Sequence, residues 1–180
     1  MKFTCTVRGK ILLESYKDWI GNTDKVLDVG CGNGVIGKMI SDKFGCRIEG
    51  TDIMNFIESG IAFKMMPNET TLPYEEGSFD IAILNDMLHH TTKQKEVIAE
   101  ALRVAKKVLI FETKPTYRAK ILDHVLNWVH NVKMPIPLTH RTLENWKYIF
   151  DQMGINSEHK ELSARFYYPL THFAFKICKE

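Results

Sequence analysis

The stretch from Val26 to Gly37 reads VLDVGCGNGVIG. An apolar run carrying one acid, Asp28, leads into three alternating glycines, Gly30, Gly32 and Gly34. Val35, Ile36, Met39, Ile40 and Phe44 then recur at helical spacing, and Gly45 stops the helix. A buried strand that feeds a helix through a glycine turn commits the chain to layers of sheet and helix. Such a turn also lets a ligand approach the backbone closely. The spacing is not the dinucleotide pattern G-x-G-x-x-G, whose third glycine would fall at Val35. An acid facing the same turn repels a pyrophosphate, so the ligand is not a bare phosphate.

The alternation continues. RIEGTDI (47–53), 61–65, FDIAIL (79–84) and KVLIFET (107–113) read as further strands, and 93–104 as a helix with one apolar face. A helix over about 9–19 precedes the first strand. After a helix over 142–154, two strand-like runs (155–162 and 170–178) flank Pro169. Their connection is far too short for a crossover helix, so they pair antiparallel. The expected fold is α/β, one domain over 1–180. It is a Rossmann-like, seven-stranded, mostly parallel sheet with an antiparallel C-terminal hairpin and helices on both faces.

Composition excludes several classes. Twenty-four Lys and Arg against 22 Asp and Glu give a net charge of +2. They are scattered, so no nucleic-acid partner is expected. Cys5, Cys31, Cys46 and Cys178 form no C-x-x-C pair, so no metal site is expected. With no signal peptide and no apolar run near membrane-spanning length, the expected location is a reducing cytoplasm.

Ligands of such sheets sit outside the carboxyl ends of the strands, where the strand order reverses. The glycine turn, Asp52, Asn68 with Glu69, and Asn85 with Asp86 all fall at that edge. Asp52 follows Gly30 by 22 residues, an offset suited to binding two ribose hydroxyls. A nucleoside is indicated, and Asp28 calls for a positive group beside it. A nucleoside joined to an amino acid satisfies both.

VLDVGCGNG, GTDI and LPYEEGSFDIAILNDMLHH, in that order, resemble the class I S-adenosylmethionine-dependent methyltransferases, in the subgroup acting on small molecules that includes quinone-biosynthesis enzymes. The resemblance covers about 26–113 and resumes at 143–154. It implies S-adenosyl-L-methionine as cofactor. Gly30, Cys31, Gly32 and Gly34 would approach its methionine part, and Asp28 would order the site near its amino group. Asp52 would bind the ribose, Ile53 would pack on the adenine, and Asn68, Glu69 and Asn85 would complete the site. Two departures stand out. Asn68 replaces a frequent Asp, and the family's Pro-Gly-Gly turn before the fifth strand is absent.

His89 and His90 carry two readings. One is a general base facing the transferred methyl group. In the other, one histidine packs and its neighbour caps near Thr91. His140 with Arg141 and Tyr167 with Tyr168 are candidates for lining a substrate pocket. Residues 114–141 look like an insertion, with an apolar helical face over 117–132 that includes Trp128. It is either a lid over an apolar or aromatic acceptor or an ordinary packing helix. The function expected is methyl transfer to such an acceptor, with a partner chain or homodimer completing an open pocket. The alternative is a methyltransferase-like subunit that holds cofactor without turnover of its own.

Overall fold

The computed structural model describes residues 2–116, 139–162 and 170–179. In order, the elements are α1 (Lys2–Tyr16), β1 (Lys25–Val29), α2 (Val35–Phe44), β2 (Arg47–Asp52), β3 (Ala62–Met65) and β4 (Phe79–Asn85). There follow a 3₁₀ turn (Leu88–His90), α3 (Gln94–Val104), β5 (Ala105–Thr113), α4 (Leu143–Gln152), β6 (Ile155–Leu162) and β7 (His172–Lys179). The strands form one seven-stranded sheet ordered β3-β2-β1-β4-β5-β7-β6. β1 to β5 pair parallel, and β7 runs antiparallel to both β5 and β6. The strand order reverses at β1, which has β2 on one side and β4 on the other. The crevice for a ligand therefore lies beyond the carboxyl ends of β1 and β4.

The central strands are buried on both faces, and period-two alternation sorts their side chains. Val26, Ile81, Ile83, Leu109 and Phe111 pack with Leu12 and Tyr16 of α1 and Ile40 of α2. Leu27, Val29, Ala82, Leu84, Val108 and Ile110 pack with Ile98 of α3 and Trp146 and Phe150 of α4. Asp28 shares the parity of Val26, so a carboxylate occupies a core position beneath α1 and α2.

Some boundaries differ from the sequence expectation. The N-terminal helix runs from Lys2 to Tyr16 instead of 9–19, and Trp19 and Ile20 follow it in a turn whose N–H groups donate to Tyr16 O. α3 passes directly into β5 at Ala105, which explains why no glycine turn is needed there. Thr142 caps α4, its side chain accepting from Asn145 N. The ends of the 114–141 excursion are tied down. Lys114 N donates to Thr171 O, and Thr139 N to His89 O. The apolar segment 117–132 with Trp128, and Tyr167 with Tyr168, lie outside the described residues. No helix among the described residues is long and apolar enough to cross a membrane.

Candidate functional site

A cavity of about 580 Å³ opens at the carboxyl ends of β1, β2 and β4. Gly30, Cys31, Gly32 and Asn33 form one wall, and Asp52, Ile53, Met54 and Phe56 a second. Asn85, Asp86, Met87 and His90 form a third, and α1 contributes Arg8. Of the residues expected from sequence, Asp28, Gly30, Cys31, Gly32, Asp52, Ile53, Glu69, Asn85 and His90 meet here. Asn68, Gly34 and His89 do not.

Asp52 braces the glycine turn. Its Oδ2 accepts from Gly32 N at 2.9 Å, and its Oδ1 from Met54 N at 3.4 Å. Gly32 has φ +53°, and the space a Cβ would enter is open. Gly32→Val is therefore expected to cost only about 1–2 kcal/mol of stability, from left-handed backbone strain. Its branched side chain would stand in the cavity, and affinity for S-adenosylhomocysteine is expected to fall at least about 100-fold. Circular dichroism and a titration on one sample check both. A folded variant with normal affinity would remove the turn from the site.

Gly34 stands outside the cavity lining. At φ +74° it caps α2, and a Cβ there would collide with Ser59 Oγ and Ile57 Cδ1. Its lack of a Cβ makes room for the close packing of the β2–β3 loop. Asn68 also lies outside the lining. Its side chain is exposed, and its Oδ1 accepts from Thr70 N and Oγ1 at 3.0 and 3.1 Å. Asn readily closes such a local turn. Its neighbour Glu69 reaches the wall instead, held by Lys93 Nζ at 2.6 Å and Thr91 Oγ1 at 3.1 Å.

At the base of the cavity, Asp28 is 2% exposed and its Oδ2 has no hydrogen-bond partner. Burial, and then the charge of Asp52, push its carboxyl up to about 7. The Asn85 amide opposes this from a position that completes no hydrogen bond, and Arg8 opposes it more weakly. Asn85 Oδ1 accepts from Tyr16 Oη at 2.8 Å, while Asn85 Nδ2 is buried without an acceptor. A buried acceptor and a buried donor thus stand unsatisfied in one cavity. Such groups are costly unless a ligand pairs them. Burial, with the charges of Asp28 and Asp52, pushes the Cys31 thiol up to about 12, so it stays protonated and is no nucleophile.

Arg8, Tyr16 and Glu112 were not singled out in the sequence. Arg8 Nη1 lies 3.0 Å from Asp86 Oδ2, and Thr113 Oγ1 donates to Asp86 Oδ1 at 3.0 Å. Burial pushes the Asp86 carboxyl up, but Arg8, His172 and His89 outweigh it and hold it below its ordinary value. Asp86 has φ +48°, the left-handed region that Asp tolerates better than most residues.

The two adjacent histidines separate. His89 is buried, with Nδ1 2.7 Å from Glu112 Oε2, and Glu112 Oε1 accepts from Leu88 N at 2.7 Å. His90 lines the cavity, its ring 4.1 Å from that of His89. His140 stacks on His89 at 4.6 Å with 14° between planes, and Arg141 bonds Gln94 Oε1. His89, Glu112 and His140 form the one group among the described residues with metal-ligating atoms close together. Lone pairs of stacked rings run side by side instead of converging, so this arrangement reads as a hydrogen-bonded stack.

A five-stranded parallel core, an antiparallel β7 inserted between β5 and β6, a glycine turn at the switch point and an acid ending β2 define the fold of the class I S-adenosylmethionine-dependent methyltransferases. Comparison with known proteins then narrows the class. The family model described as methionine biosynthesis protein MetW matches residues 12–134, more than half of the chain, and the chain belongs to that family. A ubiquinone biosynthesis O-methyltransferase of Idiomarina loihiensis is 28% identical over 124 residues, covering 58% of this chain and 51% of that protein. The chain spans about half the length of the curated relatives it matches. Among solved structures, YcgJ from Bacillus subtilis superposes with a TM-score of 0.68 at 14% identity, covering 97% of this chain and 99% of that one. Haemonchus contortus phosphoethanolamine N-methyltransferase 2, in complex with S-adenosyl-L-methionine, gives 0.70 at 14%, covering 97% and 52%. At such identities these are likenesses of fold.

Proposed function

We propose that this chain holds S-adenosylmethionine in the cavity and directs its methyl group to a small, apolar or aromatic acceptor. The observation that carries this reading is the unsatisfied pair at the cavity base. Asp28 Oδ2 seeks a donor and Asn85 Nδ2 an acceptor, as the ammonium and carboxylate of an amino-acid moiety would supply. Asp52 stands at the end of β2, where its carboxylate can take ribose hydroxyls without releasing the glycine turn. Ile53 is 45% exposed and offers an apolar face to the adenine.

When bound, the cofactor supplies an electrophilic methyl group on a positively charged sulfur. The residues of the chain then have to hold the acceptor in line and exclude water. His90, on the wall after β4, is the group placed to take a proton from a hydroxyl acceptor. Met87 and Phe56 give the same cavity apolar surface for an aromatic acceptor.

Asp52→Ala tests the reading. Losing hydrogen bonds to a charged acceptor costs about 1.5–3 kcal/mol, so affinity for S-adenosylmethionine and S-adenosylhomocysteine is expected to fall roughly tenfold to a hundredfold. Calorimetry showing unchanged affinity would remove Asp52 from the site. Turnover against phenolic and quinone-like acceptors tests the transfer itself. Tight cofactor binding without turnover on any of them would favour the cofactor-holding partner subunit.

A further inference from the structure

We infer that Tyr16, a fully buried residue of α1 that does not line the cavity, is a positioning residue. Its hydroxyl fixes the Asn85 amide so that Asn85 presents a donor to the amino-acid end of the ligand. The inference rests on the cofactor reading above.

An Asn side chain has two nearly isosteric ends, one accepting and one donating. Nothing in the residue itself decides which end meets a ligand. Here Tyr16 Oη donates to Asn85 Oδ1 at 2.8 Å, and Tyr16 is 0% exposed. Burial, and then the charges of Asp28, Asp86 and Glu112, push the phenol well above its ordinary value, so the hydroxyl keeps its proton and stays a donor. With Oδ1 held, Nδ2 is the end left without a partner. The orientation matters because the surroundings are rich in acceptors. Asp28 is buried, the Asp86 carboxylate lines the same cavity, and Asp28 Oδ2 is already unsatisfied. A flipped amide would add another acceptor beside Asp28 and withdraw the donor that Nδ2 offers a ligand carboxylate at that point. Tyr16 therefore sets a polarity that lets one cavity take an ammonium and a carboxylate side by side.

The test compares two ligands in the intact chain. S-adenosylhomocysteine carries the amino-acid end, whereas 5′-methylthioadenosine carries the nucleoside and lacks that end. Tyr16→Phe keeps the ring and removes the hydroxyl. It is expected to weaken S-adenosylhomocysteine about tenfold and to leave 5′-methylthioadenosine within about twofold. In an Asn85→Ala background the same change is expected to leave the ratio of the two affinities unmoved, because no amide remains to orient. An equal loss for both ligands, or a ratio shift that persists without Asn85, would overturn the inference and make Tyr16 a packing residue. An unchanged ratio in Tyr16→Phe would overturn it while leaving the cofactor reading intact. Wild-type chain that binds neither ligand would overturn both.

Discussion

Asp28→Asn is expected to make the chain more stable relative to wild type as pH rises, and the gap should be large by pH 8. The folded carboxyl titrates near 7, against an ordinary value of 3.8, because it is buried and faces Asp52. An acid with a raised folded value contributes no penalty below pH 4, where both states are protonated. Between about 4 and 7 the unfolded chain ionises and the folded one does not, so stability drains away as pH rises through that window. A shift of this size is worth roughly 4 kcal/mol once complete. Asn carries no such titration. Urea melts of both proteins at pH 5 and pH 8 are expected to show the stability difference growing by about 2–3 kcal/mol in favour of the variant. A difference that stays constant with pH would mean that Asp28 ionises at its ordinary value. The same variant should bind S-adenosylhomocysteine poorly, because the ammonium loses its carboxylate. Binding to wild type near pH 6 should release a proton, seen by calorimetry as a heat that varies with buffer ionisation enthalpy. Stability and ligand affinity thus pull in opposite directions at one residue.

Glu112→Ala is expected to cost about 2–4 kcal/mol. The carboxylate is 2% exposed at the end of β5, where it accepts from Leu88 N and pairs with His89 Nδ1, each at 2.7 Å. Alanine leaves the Leu88 N–H buried without its acceptor, opens a cavity and strips His89 of its anion. The 3₁₀ turn that carries His90 to the cavity loses a side-chain tether to β5. Glu112→Gln keeps one accepting oxygen and nearly the same volume, so its cost is expected to stay near 1 kcal/mol. Urea unfolding of the two variants decides. An alanine variant within 1 kcal/mol of wild type would show that the pair contributes little and that the turn is held elsewhere.

Both residues show what sequence reading reaches. Asp28 was identified because it interrupts an apolar run two residues before a glycine turn, a purely local pattern. Glu112 is the penultimate residue of KVLIFET and follows its apolar run with no local pattern that marks it. Its meaning comes from the 3₁₀ turn more than twenty residues earlier, brought alongside because β4 and β5 pair parallel. Arg8 and Tyr16 were missed for the same reason, since α1 meets the ends of β4 only through tertiary packing. Nothing in the local sequence distinguishes His89 from His90. In a 3₁₀ turn, consecutive side chains diverge, and only the sheet behind His89 decides which one is buried.

The sequence by itself determined the seven strands to within about two residues, the antiparallel closing hairpin, the glycine turn and the two acids Asp28 and Asp52. Each of these rests on interactions between residues close in the chain: a period of two or 3.6, a turn that needs glycine, a connection too short to cross over. Only the tertiary structure decided that Gly34 makes room for Ser59, and that Glu69 lines the cavity while Asn68 closes a local turn. It alone showed that Asp28 is buried beside Asp52, and that a tyrosine nearly seventy residues away hydrogen-bonds Asn85. Those outcomes depend on what fills the space around a side chain, and that is set when distant elements pack together and exclude water.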